Sequence, residues 1–473
     1  MSEFGLLPDG WLDTQLGQIV DYGKTAKKTL EDVESETWIL ELEDIEKDSS
    51  KLLKKVNASE RPFKSTKNAF KKGDVLYGKL RPYLNKVIIA EYDGVCTTEI
   101  IPIDSKPFCS NSYLFYWLKG SKFLHYVDEV SYGVNMPRLG TKDGNAAPFR
   151  LAPLAEQKVI ADKLDELLAQ VESTKARLDA IPAILKSFRQ SVLAAAVSGK
   201  LTEEWRGENE VTCANEEHLD IKYEIPEEYK NIVRPEEWIV TSIGNIATFQ
   251  QGMQIAKSTR YTEPGNNRLP ILRIGSYTTK FSKDVDYVEL GEDSLIAEPS
   301  DIILTRTGET RGRVLTGFKG VFHNNTFRIN FNQSVIKREF LIISLNERSA
   351  QNYILEVSGR SAQPDLTHKR FGPCPISLPP LSEQTKIVRR VEDLFAFADK
   401  VEAQVNEAQT RVNNLTQSIL AKAFRGELTA EWRAANPELI SGENSAAALL
   451  ERIKVEREKL KPVKKTRAKK AKA

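Results

Sequence analysis

Hydrophobic residues recur at alternating spacings of four and three along two stretches of the chain. The first stripe is Ile160, Leu164, Leu167, Val171, Thr174, Leu178, Ile181, Leu185, Phe188 and Val192. The second stripe is Ile387, Val391, Leu394, Ala398, Val401, Val405, Ala408, Val412, Leu415 and Ile419. A heptad pattern kept over four heptads predicts a long helix that needs a partner helix. We expect the two helices to pair with each other as a coiled coil.

The two stripes belong to two copies of one segment. Pro-Leu-Ala-Glu-Gln at 153–157 returns as Pro-Leu-Ser-Glu-Gln at 380–384. Gly-x-Leu-Thr-x-Glu-Trp-Arg closes both copies, at 199–206 and at 426–433. Each residue of the second copy lies 227 positions after its counterpart. The chain is therefore an internal repeat with a pseudo-twofold organisation.

The ends of the predicted helices carry suitable residues. Glu156 and Glu383 fall in the first turn, where an anion suits the helix dipole. Gly199 and Gly426 fall where a left-handed cap belongs. Only the first helix contains a proline, Pro182, and we expect a local kink there.

A globular part precedes each helix, with matching anchors and differing residues between them. Pro-Asp-Gly-Trp at 8–11, for example, matches Pro-Glu-Glu-Trp at 235–238. Short segments rich in β-branched and aromatic residues predict strands at 38–42, 75–80 and 86–91, and at 239–241, 269–274, 285–290, 301–305 and 326–331. Short helices are predicted at 112–118 and 337–345. Each globular part is expected to be α+β with a mixed sheet.

These patterns divide the chain into six segments. The globular parts are 1–152 and 235–379, and the repeated helical segments are 153–206 and 380–433. The segment 207–234, rich in Asp and Glu, is predicted to be an exposed acidic linker, and 434–473 to hold a helix at 445–461 and a basic tail. Such a tail is more often solvated chain than a phosphate-binding arm.

Composition indicates a soluble, folded protein of 473 residues with a net charge of +2. The near-neutral charge means that any basic surface is local. The four cysteines have no metal-ligand spacing and suggest a reducing compartment. The first residues lack the features of a secretory signal, and no apolar run approaches the roughly 20 residues of a membrane helix. We therefore expect a cytoplasmic protein without bound metal.

Catalytic motifs are missing from the sequence. There is neither a phosphate-binding Gly-x4-Gly-Lys-Ser/Thr loop nor an Asn/Asp-Pro-Pro-aromatic motif. The four histidines are far apart in sequence, and structural roles are favoured for them. Pro364, Asp365 and Lys369 resemble a nuclease set, but an intervening carboxylate is missing. We therefore expect a non-catalytic protein.

Polar and basic loops instead suggest binding to DNA. Lys and Arg contact phosphates, while Arg, Gln and Asn can read base edges. The candidate DNA contacts are Lys27, Lys64, Lys67, Tyr77, Lys79, Arg81, Tyr83, Asn85, Lys86 and Arg138 in the first half, and Gln251, Gln254, Lys257, Arg260, Arg306, Thr307, Thr310, Arg311, Arg313, Arg360 and Gln363 in the second. A solvated surface loop is the simpler alternative. The equivalent placement of Lys79 and Arg306 after equivalent strands favours the DNA interpretation.

The doubled helical motif, each time after a variable domain, resembles the DNA-specificity subunit of type I restriction–modification systems. The resemblance covers about residues 8 to 433. It implies two target-recognition domains, each reading one half of a split DNA sequence, and two helices that pair antiparallel as a ruler for the spacer.

The resemblance also implies partners. Two methyltransferase subunits would dock on the helices, and motor-nuclease subunits would attach through them. S-adenosylmethionine, ATP and magnesium would belong to those partners, with no cofactor on this chain. A coiled-coil scaffold with two heads that bind carbohydrate or protein is the alternative.

Overall fold

The computed structural model describes residues 7–210, 213–214, 217, 219–230, 233–273, 285–359 and 364–459. Its helices are α1 (Leu16–Ile19), α2 (Asn111–Lys119), α3 (Ser121–Val130), α4 (Thr141–Ala146), α5 (Leu154–Val197), α6 (Glu203–Glu208), α7 (Arg338–Asn346), α8 (Arg348–Val357), α9 (His368–Phe371), α10 (Leu381–Phe424), α11 (Ala430–Ala435) and α12 (Ala446–Lys459). The two long helices and the short helices predicted at 112–118, 337–345 and 445–461 are confirmed.

The chain folds as two compact units that cut across both long helices. Unit 1 comprises residues 1–179 and 407–473, and unit 2 comprises residues 180–406. Each unit thus contains one globular part, one half of α5 and one half of α10. The predicted segment boundaries follow the repeat in the sequence. The compact units instead group the segments that pack against each other in the folded chain.

Unit 1 contains a mixed sheet, as expected. Its strands are β1 (Leu12–Gln15), β2 (Lys27–Lys28), β3 (Trp38–Leu40), β4 (Val56–Asn57), β5 (Lys67–Phe70), β6 (Val75–Gly78), β7 (Val87–Ile89), β8 (Gly94–Cys96), β9 (Ile100–Ile103) and β10 (Pro148–Leu151). They form a five-stranded sheet in the order β2-β5-β8-β3-β4, a three-stranded sheet β7-β6-β9, and the pair β1-β10. Among the described strands of unit 1, only β3 and β8 are paired in parallel.

Unit 2 repeats this plan. Its strands are β11 (Ile239–Ser242), β12 (Ala247–Gln251), β13 (Arg260–Tyr261), β14 (Arg268–Leu272), β15 (Tyr287–Glu289), β16 (Ile296–Ala297), β17 (Ile302–Thr305), β18 (Val314–Leu315), β19 (Gly320–Phe322), β20 (Thr326–Phe331) and β21 (Pro375–Leu378). The sheet orders are β13-β15-β14-β19-β16 and β12-β20-β17-β18, with β11 paired to β21. The predicted strands are confirmed with shifted ends. Sequence reasoning missed β1, β5, β9, β10, β12 and β21, which have four or five residues. It also missed several strands of two or three residues, which are too short for an alternating pattern.

The long helices pair antiparallel, as polar contacts within each unit show. In unit 1, Lys163 Nζ donates to Leu428 O at 2.8 Å, and Gln409 Nε2 donates to Asp179 Oδ1 at 2.8 Å. Lys163, near the start of α5, thus contacts the segment just after α10, whereas Asp179, further along α5, contacts Gln409 within α10. The two helices therefore run in opposite directions. In unit 2, Arg189 Nη2 donates to Glu402 Oε2 at 2.7 Å.

Burial follows most of the predicted heptad stripes. The buried members are Ile160, Leu164, Leu185, Val192, Ile387, Val391, Ala398, Val405 and Val412. The half-buried members are Leu167, Val171, Leu178, Ile181, Phe188, Leu394, Val401, Ala408 and Ile419, and Thr174 is exposed. The prediction is wrong for Leu415, which is 43% exposed, whereas Leu420 is fully buried. A straight helix has 3.6 residues per turn, so a strict heptad stripe drifts off the packed face.

Helix α5 contains a proline and an apolar stretch. The helix continues through Pro182, and the expected kink stays a prediction. By length and composition alone α5 also passes as a membrane-spanning helix, contrary to the expectation from the sequence. Its Val192, Leu193 and Ala196 pack in one core cluster with Ile387 of α10, which accounts for part of this apolar composition.

A buried carboxylate joins the start of each long helix to the end of the other. In unit 1, Glu156 is fully buried and accepts hydrogen bonds from Trp11 Nε1 at 2.7 Å, Thr429 Oγ1 at 2.6 Å and Arg433 Nη1 at 2.6 Å. Trp11 belongs to the globular part, whereas Thr429 and Arg433 belong to the closing motif of α10. One side chain thus holds three segments of unit 1 together.

Unit 2 contains the same network with the roles of the copies exchanged. Glu383 accepts from Trp238 Nε1 at 2.8 Å and Thr202 Oγ1 at 2.6 Å, and it pairs with Arg206. The closing motif of the first copy therefore docks on the opening motif of the second. We call these two networks the glutamate locks.

The segments after the closing motifs pack on the globular parts. In unit 1, Leu449, Leu450 and Ile453 of α12 join the main core. In unit 2, Asn245 Oδ1 accepts from the backbone of Tyr223 at 2.8 Å. The prediction of an exposed acidic linker is therefore only partly right, because its tyrosines and leucine pack inward while its described carboxylates stay exposed. The basic tail lies outside the described residues.

We expect Glu156→Gln to destabilise unit 1 by about 3 kcal/mol. The glutamine amide would place an N–H donor opposite the donors that now bind Glu156, and Arg433 would lose its buried ion-pair partner. Glu383→Gln should cost a similar amount in unit 2. Glu166→Gln, at an exposed position of the same helix, is the matched control. Urea unfolding measures the change, and a loss below about 0.5 kcal/mol for Glu156→Gln would refute the lock.

Candidate nucleic-acid interface

Loop 79–86 joins β6 to β7 and has an unusual backbone. Arg81 and Asn85 adopt left-handed conformations with φ of 49° and 48°, on either side of a 3-10 turn at Pro82–Leu84. Such conformations cost non-glycine residues about 1–3 kcal/mol each and persist only where neighbours hold them. Here the Arg81 N–H donates to Pro137 O at 2.7 Å. The loop is thereby fixed with Arg81 and Tyr83 exposed.

Loop 132–138 lies beside it in unit 1. The Leu139 N–H donates to Lys79 O at 3.0 Å, and Arg138 forms a bridge with Leu80. Arg138 Nε lies 3.2 Å from Glu99 Oε2, so this predicted DNA contact is ion-paired within the domain. The two loops form one surface.

Four predicted contacts in unit 1 are directed inward. Tyr77 is 1% exposed, its ring lies 5.6 Å from that of Phe123, and burial raises the pKa of its phenol. Lys67 is buried in an ion pair with Glu41, and Asn85 is 3% exposed. The prediction of DNA contact is wrong for these three residues.

The fourth is Lys86, whose Nζ donates to the carbonyl oxygen of Leu42 at 2.7 Å and is committed to the domain. Polar side chains at the ends of strands satisfy backbone groups there, a role that charge alone does not reveal. Lys27, Lys64, Lys79, Arg81 and Tyr83 remain on the surface or half-buried, and their DNA contacts stay a prediction.

Loop 306–313 of unit 2 occupies the place equivalent to loop 79–86. It joins β17 to β18, and the Gly312 N–H donates to Thr305 O at 2.8 Å. Arg306 makes two hydrogen bonds to Asp365, from Nε at 2.6 Å and from Nη2 at 2.7 Å. This arginine was predicted to contact DNA directly. Its guanidinium instead binds the Asp365 carboxylate through two parallel N–H groups, the arrangement in which arginine recognises guanine.

The other predicted residues of this loop differ in exposure. Arg313 is exposed, while Arg311 Nη1 donates to Gly308 O at 3.2 Å and stabilises the turn. Thr307 forms a bridge with Asp365, and the carbonyl of Thr310 accepts from Thr305 Oγ1 at 2.5 Å. Direct contact with DNA stays a prediction for Thr307, Thr310, Arg311 and Arg313.

A second polar surface of unit 2 follows β12. Gln251, Gln254 and Lys257 are exposed. Arg260, by contrast, donates from Nη2 to Ile255 O at 2.7 Å, and its side chain is only 17% exposed. Arg260 thus stabilises its own segment, and its contact with DNA stays a prediction. The predicted residues Arg360 and Gln363 lie outside the described residues.

Neither described histidine of unit 2 adds a positive charge at neutral pH. Burial lowers the pKa of His323, and the nearby Arg273 and Arg260 lower it further. Burial also lowers the pKa of His368, whose ring lies 4.9 Å from that of Phe327. Structural roles therefore fit both histidines.

Sequence reasoning missed an exposed apolar cluster in unit 1. Tyr132 is 60% exposed, Val134 100% and Met136 46%. The available signal was the run of apolar residues among Gly133, Asn135 and Pro137, in a loop without heptad or strand periodicity. In the described part of the chain, no group of three or more His, Cys, Asp or Glu residues could hold a metal ion.

Comparisons with known proteins agree with this architecture. The family model of the type I restriction modification DNA specificity domain matches residues 8–183 and 235–409. The EcoBI specificity subunit of Escherichia coli is 41% identical over 350 residues, covering 71% of this chain and 70% of the relative. The StySPI specificity subunit of Salmonella potsdam is 39% identical over 363 residues, covering 74% and 72%.

Solved structures share the fold. The HsdS subunit from Thermoanaerobacter tengcongensis has a TM-score of 0.59 at 19% identity, over 90% of this chain and 100% of that one. A chain from a structure of a type I R-M system has a TM-score of 0.68 at 19% identity, over 89% and 99%. Nothing in these comparisons supports the alternative of a scaffold with carbohydrate- or protein-binding heads. The match of both repeats, together with relatives about 40% identical over most of the chain, shows that the chain belongs to the DNA-specificity subunits of type I restriction–modification systems.

Proposed function

We propose that this chain sets the DNA target of a type I restriction–modification complex without catalysing a reaction itself. Each globular part is a target-recognition domain that binds one half of a split duplex sequence. The paired helices set the distance between the half-sites. The observation that carries this proposal is one scaffold, closed twice by the same glutamate lock, that presents two different loops at equivalent places.

The difference between the loops supports an asymmetric target. Loop 79–86 presents Arg81 and Tyr83, whereas loop 306–313 presents Thr307, Arg311 and Arg313. Hydrogen-bond donors and apolar groups in different orders match different base edges in the major groove. The two half-sites should therefore differ in sequence.

Partners supply the chemistry in this proposal. Two methyltransferase subunits dock on the helical repeats, and motor-nuclease subunits join through them. S-adenosylmethionine, ATP and Mg²⁺ bind those subunits. The proposal places the complex in the cytoplasm, where it meets the host DNA. Co-purification with a methyltransferase and sequencing of the methylated motif test it directly.

The exposed Lys64 and the buried Lys67 form a matched pair for testing phosphate contact. We expect Lys64→Gln to lower the slope of log K against log salt by about one, because one phosphate contact is lost. Lys67→Gln should instead lower thermal stability, because Glu41 loses its buried partner. Binding to a target duplex over a salt series gives the answer, and an unchanged slope for Lys64→Gln would remove that residue from the interface.

Arg306 and Asp365 should act as one unit that positions loop 306–313. We expect Arg306→Ala and Asp365→Ala each to weaken discrimination in the second half-site about tenfold, with the double variant no worse than either, because both remove the same ion pair. The first half-site should be unaffected. Competition binding with altered half-sites measures this. Tighter binding by Asp365→Ala would mean that Asp365 masks an arginine that reads DNA directly.

The ruler role predicts a response to helix length. Seven residues inserted in α5 after Asp179, together with seven in α10 after Asn406, add about 10 Å to each helix. The tolerated spacer should lengthen by about three base pairs, since base pairs stack every 3.4 Å or so. Inserting the heptad in α5 alone is the control, because it shifts the paired stripes out of register. An unchanged spacer in the methylated motif would contradict the ruler role.

A further inference from the structure

Four exposed apolar residues of unit 1 lie on loops 79–86 and 132–138. Tyr83 is 52% exposed, Tyr132 60%, Val134 100% and Met136 46%. Large apolar side chains exposed singly need no explanation, but several on one surface indicate a binding site. The backbone bonds between the loops make these residues one surface.

This surface is held in place by its backbone. The Arg138 N–H donates to Tyr132 O at 2.9 Å, which closes loop 132–138 on itself. Gly133 has φ of 110°, and a Cβ there would meet Met136 O at 3.0 Å, so the turn requires glycine. On the other loop, the Asp48 N–H donates to Leu84 O at 3.1 Å. A held loop loses little conformational entropy when it binds.

Charge identifies the partner. The side chains of Lys79 and Arg81 have no protein partner among the residues that the structure describes, and they flank the apolar cluster. Glu99 neutralises Arg138, and Lys86 donates to the carbonyl oxygen of Leu42. Duplex DNA carries phosphates on its surface and stacked, apolar bases inside. Apolar side chains beside unpaired cations match this combination.

We propose that loops 79–86 and 132–138 form an apolar wedge that enters the DNA at one base step of the first half-site. The inference rests on the proposed function. Val134 and Met136 enter the opened step, Tyr83 and Tyr132 pack against its edges, and Lys79 and Arg81 contact the flanking phosphates. Opening a step costs a few kcal/mol, least at flexible pyrimidine–purine steps. The wedge therefore discriminates between DNA sequences by how easily the base step opens, without a hydrogen bond to a base.

The sequence of the second domain lacks the apolar residues of this wedge. The residues equivalent to loop 132–138 are Gly-Arg-Ser-Ala-Gln-Pro-Asp at 359–365, which contain no large apolar side chain. Only one half-site should therefore be deformed in this way.

The test uses the chain in complex with its methyltransferase subunits and a duplex with the motif that the complex methylates. The double variant Val134→Ser/Met136→Ser should bind this duplex about tenfold more weakly and bend it less, as shown by gel mobility of circularly permuted fragments. Leu53→Ser, at another exposed apolar residue of unit 1, is the control and should match the wild type. Equal thermal midpoints for all proteins establish that folding is unaffected.

A single mismatch moved through the first half-site locates the step. A mismatch at the wedge step should strengthen wild-type binding, because the bases there are already partly unstacked. The double variant does not open the step and should gain nothing, so its deficit relative to the wild type should be largest there. Unchanged affinity and bend in the double variant would overturn the wedge. So would unchanged DNA binding together with loss of the methyltransferase, which would make the surface a protein-docking site. A wild-type complex without sequence-specific binding would overturn the proposed function itself.

Discussion

The structure depends on a buried carboxylate at the start of each long helix. Glu156 and Glu383 are fully buried, and a lone carboxylate there would be very costly. Each is satisfied by an indole from the globular part that precedes it and by a threonine and an arginine from the closing motif of the other copy. Because these donors come from distant segments, the lock forms only when the globular part, the helix start and the opposite helix end are all in place.

The lock explains why the compact units differ from the repeats in the sequence. A repeat runs from one Trp to the next closing motif, but its closing motif satisfies the carboxylate of the other copy. Unit 1 therefore combines the beginning of the chain with its end, and unit 2 is built from the middle. The segments after the closing motifs then cover the globular parts, α12 in unit 1 and the linker around Tyr223 in unit 2.

The candidate interface shows how far charge alone predicts a binding surface. Basic loops after equivalent strands were found from the sequence, and they do lie at equivalent places in the two units. The roles of single side chains were less predictable, since Lys67, Lys86, Arg138, Arg260 and Arg306 all have partners within the protein. Those partners, such as Asp365 for Arg306, come from segments far away in sequence. The exposed residues Val134 and Met136 were missed because apolar character in a loop normally indicates burial.

The sequence by itself determined the repeat, the heptad helices, the α+β character of both globular parts and the family. These features follow from periodicity and from motifs, which are local or recur at a fixed spacing. The tertiary structure decided which copy closes which lock, where the heptad stripe leaves the packed face at Leu415, and which cations remain available for DNA. Those outcomes depend on contacts between segments that the sequence keeps far apart, and the geometry of such contacts exists only after the chain has folded.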